Sequence, residues 1–444
     1  MRNNLSKNLA IYIGGLVAII FTLFVGHLAT LSADKSRSDQ IIEPVDNGPG
    51  SNINSEPQLA RQSDKPVVEQ IVEPFYIRAQ GAAGPLTVYD MAGGTEQFTL
   101  PAGMPAADWS HYFATTAQPG ETTLQTFDPL TGLREDSFNF KGEWALSGVS
   151  PGGHWLALTR LVSDDKRALW TEEGRWRTDI QIVEAASGKV AQTLNLAGNF
   201  EVETLSKNGD ALFLIQHLPP INPTQYLVRL YDLSTQQLQP GTLRAKTATD
   251  EVMTGLAWGG LASADGQWLL TLYLNTRRNT AFIHALNLES KFPVCINLPS
   301  GEGNFAQLKH YSLALSPDSQ TVYAANPALG VVAEVSLTEF RVTHTAEFVP
   351  SASPKNWLTQ EVDHPTNYSI LSSDDAMLYF SGGWDVWGYD PNLGQVAGPY
   401  LTNAQIRGLG LSDNGQRLYI ANQEARPQVI NLIELNEENA ISRK

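Results

Sequence analysis

The run Gly148-Val149-Ser150-Pro151-Gly152 has the G-x-S-x-G spacing of a serine-hydrolase nucleophile elbow. In such an elbow a strained strand-to-helix turn exposes the hydroxyl above a sheet. Here the five residues fall within a phrase that recurs along the chain and reads as a hairpin turn, so the spacing alone makes no nucleophile. Metal chemistry has as little support. The eight histidines, His27, His111, His154, His217, His284, His310, His344 and His364, stand singly, and the H-E-x-x-H spacing of zinc proteases does not occur. A single cysteine, Cys295, excludes an intrachain disulfide and a zinc site built on several thiolates. It lies in the apolar phrase FPVCINL, which suits a buried, inert thiol. Asp265, Asp318, Asp374 and Asp413 sit in short polar turns, where a carboxylate bonds to nearby backbone and needs no calcium ion. These residues imply no metal and no cofactor.

Recognition chemistry is better represented. KRALWTEEGRWRTD, residues 166–179, brings together Trp170, Arg175, Trp176 and Arg177. NTRRNT, residues 275–280, carries Arg277 and Arg278, and VPSASPKNWLTQEVDHPTNY, residues 349–368, carries Lys355, Trp357 and His364. SGGWDVW, residues 381–387, adds Trp384. Arginine forks pair with carboxylates and phosphates, and tryptophan and arginine dominate binding hot spots. These ten residues form the expected binding set, for an anionic or glycan ligand or a protein partner. The competing account is that the tryptophans cover strand edges while the arginines pair with Glu172, Glu173 and Asp179. A formal net charge of -16 repels phosphate backbones and argues against nucleic acid.

The elements that must position these loops come from repetition. LSDNGQRLYIAN, from Leu411, nearly repeats LSPDSQTVYAAN, from Leu315. Seven copies of this turn-then-strand phrase align on Ala107, Ser150, Ser206, Ser263, Ser316, Ser372 and Ser412. Asp, Asn and Gly in the turn tolerate left-handed backbone, and the alternation that follows has the strand period. A looser hairpin phrase, such as LTVYDMAGGTEQFTL from Leu86 or IQIVEAASGKVAQTL from Ile180, lies between copies. Two hairpins per period make four strands, the unit of a propeller blade. The expected fold is therefore all-β: a seven-bladed β-propeller of four-stranded blades over residues 75–436, closed by pairing an N-terminal strand into the last blade. LSPDSQTVYAANPALGVVAEVSLTEFRV and LSDNGQRLYIANQEARPQVINLIEL resemble YVTN-type and WD-repeat-like bacterial β-propellers. That resemblance implies the fold and leaves function open, since such rings host lactonases, dehydrogenases, receptors and scaffolds. FDPLTGLREDSF, from Phe127, is similar to repeats of quinone-dependent dehydrogenase propellers, but Phe138 stands where those repeats end in tryptophan.

Residues 1–31 contain the uncharged run LAIYIGGLVAIIFTLFVGHLATL behind Arg2 and Lys7, long enough to cross a bilayer as a signal anchor. A cleaved signal peptide is the alternative. Residues 32–74 are polar and Pro-rich and read as a flexible linker, and residues 437–444 as a tail. The expectation is a single-pass membrane protein with an extracytoplasmic propeller acting as a protein- or ligand-binding platform. The alternative is a lactonase-like propeller enzyme with its site in the central channel, and a third reading is a purely structural spacer.

Overall fold

The computed structural model describes residues 74–432, apart from 79–83, 91–94, 162–174, 244–253, 276, 302–303, 351–366, 373, 402–404, 413–414 and 422–427. The expected anchor, the linker up to residue 73 and the tail lie outside the described residues. No helix among the described residues is long and apolar enough to cross a membrane, so the predicted transmembrane helix has no counterpart there.

Eight antiparallel sheets follow one another along the chain, numbered here as blades 1 to 8. They cover residues 74–100, 103–141, 144–197, 199–238, 256–297, 312–347, 369–401 and 408–431. Blades 2 to 7 have four strands; blades 1 and 8 have three among the described residues. Within each sheet the strands pair in chain order, and the first strands of blades 2 to 4 and of blades 5 to 8 touch in succession, which places them around the axis.

The ring therefore has eight blades, not the seven expected. The turn phrase marks the hairpin between the first and second strands of a blade. Blade 1 shows no such hairpin among its described residues, so counting phrases misses it. Its stacking is nevertheless that of the others. Phe98 of blade 1 lies over Gly132 of blade 2, as Phe138 of blade 2 lies over Gly188 of blade 3, and a Cβ at either glycine would overlap the ring. Phe138 thus fills the docking role for which a tryptophan was sought.

Closure also differs from the expected strand exchange. The strand Pro74–Arg78 pairs with Leu86–Asp90, and among the described residues no strand of blade 1 pairs with blade 8. The two sheets stack face to face instead. Phe75 is buried against Tyr419, with ring centroids 6.3 Å apart. It packs so closely on Gly410 that a Cβ there would meet the ring at 2.7 Å. Glycine on the inner strand makes room for an aromatic seal, and apolar burial drives the contact.

The recurring serine now has a physical role. The hydroxyls of Ser150, Ser206, Ser263, Ser316, Ser372 and Ser412 each accept the backbone N–H five residues on, at 2.8–3.0 Å. That bond fixes the start of the second strand. The backbone equivalent in blade 2 is Ala106, whose N–H reaches His111 O at 2.9 Å as Ser150 N–H reaches Trp155 O, so the alignment shifts by one from Ala107. Ser150 is fully buried in its hairpin, which removes it as a nucleophile.

Candidate functional site: the loop face and two inter-blade seams

Because strands alternate in direction, the second hairpin of each blade and each crossover to the next blade share one face of the ring. The four Arg- and Trp-bearing stretches belong to that face. Trp170, Lys355, Trp357 and His364 lie outside the described residues. The remaining six occupy blades 3, 5 and 7 and are therefore spread around the rim. Arg277 and Arg278 are exposed on blade 5, their backbone N–H groups held by Asn275 Oδ1 at 3.1 Å. Trp384 is 41% exposed on blade 7.

Blade 3 gathers the rest, but not as the sequence suggests. Arg175 points inward and is 2% exposed. Its Nε donates to Asn199 Oδ1 at 3.2 Å, its guanidinium also reaches Phe200 O, and its backbone N–H donates to Pro220 O at 3.1 Å. Burial brings its pKa down to about 9, against the raising fields of Glu201 and Asp179. Arg175 thus braces blade 3 on blade 4 and offers nothing to a partner. Trp176, the next residue, is 64% exposed. Arg177 turns to the other side, where it donates to Asp179 Oδ2 at 2.9 Å. Asp179 Oδ1 accepts from Asn195 Nδ2 at 2.8 Å.

The seam between blades 2 and 3 holds a residue that sequence reasoning passed over. Arg160 closes the strand WLALTR, where a polar terminus looks like ordinary solvent contact. Its guanidinium stands 3.9 Å from Asp179 Oδ2 and 5.8 Å from the centroid of the Trp144 ring. Its Nε is buried and has no hydrogen-bond partner among the described residues. Trp144 lines a cavity of about 290 Å³ with Met104, Thr115, Ala117, Leu146 and Leu161. Those residues come from the beginnings of first strands and the ends of second strands, which puts the cavity at the loop face.

A second seam, between blades 4 and 5, buries several ionisable groups. The first strand of blade 4, Asn199–Leu205, turns Phe200, Val202 and Leu205 to the apolar cluster shared with blade 3. Glu201 and Glu203 therefore face blade 5. His217 Nε2 lies 3.0 Å from Glu201 Oε2, and His284 Nε2 lies 3.8 Å from Glu203 Oε1. Cys295 Sγ approaches His284 Nδ1 at 3.8 Å. Glu203 Oε2 and His284 Nε2 are buried without a hydrogen-bond partner among the described residues. Burial and then the charge of Glu201 push the Glu203 carboxyl up to about 8. Burial brings His284 down to about 4 and pushes the Cys295 thiol up to about 11. The phenols of Tyr226 and Tyr273, stacked 5.4 Å apart in the same seam, are raised by burial too. Between pH 4 and 8 the Glu203–His284 pair thus carries one proton, on the carboxyl, and no net charge. Among the described residues no three His, Cys, Asp or Glu side chains are placed to hold a metal ion. Alternating FEVETL reads as a half-solvated strand, and nothing in it shows that its polar side faces another blade.

No protein-family model and no curated protein matches the chain. Among solved structures, the dihydro-heme d1 dehydrogenase NirN in complex with DHE matches with a TM-score of 0.50 at 11% identity, over 84% of this chain and 73% of that chain. The Dos1 propeller matches with a TM-score of 0.47 at 9% identity, over 81% of this chain and 89% of that one. At 11% identity the likeness to NirN is one of fold, and the eight successive sheets make the chain a β-propeller. The narrower YVTN or WD-repeat membership finds no matching model.

Proposed function

We propose that the protein is a binding platform that engages the anionic group of a ligand or protein partner on the loop face at blades 2 and 3. One observation carries this reading. Arg160 and Arg177, 37% and 42% exposed in their side chains, both reach the carboxylate of Asp179, which is 4% exposed. Among the described residues two half-exposed guanidiniums thus meet at one buried acid, a locally basic spot on a chain of net charge -16. Such an island concentrates anions locally and repels them elsewhere, which favours one docking position. The exposed Trp176 indole beside it supplies apolar contact area of the kind found at hot spots.

The test is titration of a fluorescent octa-glutamate peptide at low salt. Binding that falls at least fivefold in Trp176→Ala/Arg177→Ala, and is unchanged in Arg341→Ala, supports the reading. Arg341 is an exposed arginine paired with Glu339 at a hairpin of the opposite face, so it controls for charge alone. Equal affinity in all three proteins refutes the placement. Catalysis by Glu203 and His284 is the weaker reading: their side chains are 7% and 0% exposed, so no substrate reaches them in this arrangement.

A further inference from the structure

The cavity between blades 2 and 3 has the chemistry of a selective site. Its walls are mostly apolar, among them Met104, Ala117, Trp144, Leu146 and Leu161, with Thr115 and Thr116 as polar exceptions. Thr115 Oγ1 already accepts the backbone N–H of Leu146 at 3.2 Å, so it helps to hold the wall in place. About 290 Å³ lies at the lower end of the range for small-ligand pockets. An apolar body of modest size fits such a space, and a hydrated or multiply charged one does not.

Arg160 supplies the second half of the specificity. It follows Thr159 directly and precedes Leu161, a wall residue. It is paired across the sheet with Trp144, another wall residue, and its guanidinium lies toward that ring. Its contact with Asp179 is long, at 3.9 Å, whereas Arg177 takes the same oxygen at 2.9 Å. The carboxylate is thus committed to Arg177 and Asn195, and the Arg160 fork is left under-used beside an apolar cavity. Asp164 and Asp165, the nearest acids in sequence, lie outside the described residues, and the Glu143 carboxylate lies toward the Gly120 backbone N–H at 3.4 Å. A guanidinium with spare donors at an apolar mouth recognises a carboxylate in two-point fashion.

We infer that this cavity binds a small amphipathic monocarboxylate, with its acyl or aromatic body against Trp144 and Leu161 and its carboxylate on Arg160. The inference rests on the anion-binding reading above and narrows it to a ligand class. The cavity ligand depends on Arg160 and Trp144, and platform binding on Arg177 and Trp176, so the two can fail separately. Bound ligand would draw Arg160 away from Asp179, leaving Arg177 as the partner of that acid.

The experiment is calorimetric titration of the full chain with hexanoate and phenylacetate, each beside its neutral amide. The carboxylates are expected to bind at least tenfold more tightly than the amides. Arg160→Met should erase that difference while leaving amide binding within about twofold. Ala145→Phe, which places a ring in the cavity, should abolish binding of both. Thermal unfolding of each variant shows whether it is folded. Because the wild-type carboxylate-to-amide ratio needs no variant, a folding failure does not shelter the inference. Equal binding of acid and amide by the wild type overturns it, as does an acid preference that survives in Arg160→Met. Octa-glutamate binding that depends on Arg177, with no hexanoate or phenylacetate binding, leaves the platform standing and removes the cavity ligand.

Discussion

Replacing Glu203 by glutamine should flatten the stability of the protein between pH 6.5 and 8. In the folded chain the Glu203 carboxyl titrates at about 8, against an ordinary value of 4.5. Between those values the native state keeps a proton that the unfolded chain has lost, so stability falls as pH rises. His284 does the opposite. It titrates at about 4 instead of 6.5, and between those values the unfolded chain holds the extra proton, so stability rises with pH. Each slope is about 1.4 kcal/mol per pH unit. From pH 4.5 to 6.5 the two cancel. From 6.5 to 8 only Glu203 acts, and the native state loses roughly 2 kcal/mol. For a domain of this length that corresponds to a fall in Tm of roughly 3 °C. The assay is thermal unfolding followed by circular dichroism at pH 5.5, 6.5, 7.25 and 8. Wild type should be level between the first two and then drop. Glu203→Gln should show no drop and should instead rise between pH 4 and 6.5, where His284 is no longer offset. A drop of the same size in the variant would refute the assignment of the proton to Glu203.

Two further outcomes follow from packing. Arg175→Met removes a buried guanidinium and strands the acceptors on Asn199 and Phe200, so it should destabilise the domain by about 2–4 kcal/mol in urea unfolding, whereas Arg177→Ala should cost under about 1 kcal/mol. Gly410→Ala drives a methyl group into the Phe75 ring at the closure, and a loss of about 1–3 kcal/mol is expected. Limited proteolysis should then cut first near blade 1, since Phe75 is its seal on blade 8.

The sequence carried the blade plan well because the serine turn is a local device. One side chain, one backbone N–H five residues on and a left-handed position all lie within a single hairpin. Blade 1 escaped the count because its described part lacks that hairpin, and closure was misjudged because stacking of Phe75 on Gly410 joins residues far apart in the chain. The loop face was legible through composition, yet direction was not. Arg177 opens its strand and turns to Asp179, whereas Arg175 lies before the strand, across a bend at Trp176, and turns to Asn199 and Phe200 of blade 4. Glu203 and His284 were invisible for the same reason. Their alternation with apolar neighbours looks like a strand with one wet side, and only the neighbouring blade makes that side dry.

The left-handed residue of the serine turn is glycine in blades 3, 4, 5 and 8, and Trp109, Ser319 and Asp375 in blades 2, 6 and 7. Left-handed backbone costs a non-glycine residue about 1 kcal/mol or more. Each of the three reaches back to the blade before it. Trp109 stacks on Tyr76 at 4.2 Å, Asp375 accepts the Tyr323 hydroxyl at 3.0 Å, and Ser319 lies near enough to the Asp265 carboxyl to help lower its pKa. The glycine turns carry no such strain, although Gly209 too packs on Trp155 of the blade before it. A gene rearrangement that duplicated, deleted or exchanged blade 2, 6 or 7 would keep the strain and lose the contact that offsets it. The ring therefore has a fixed order of units despite their common form.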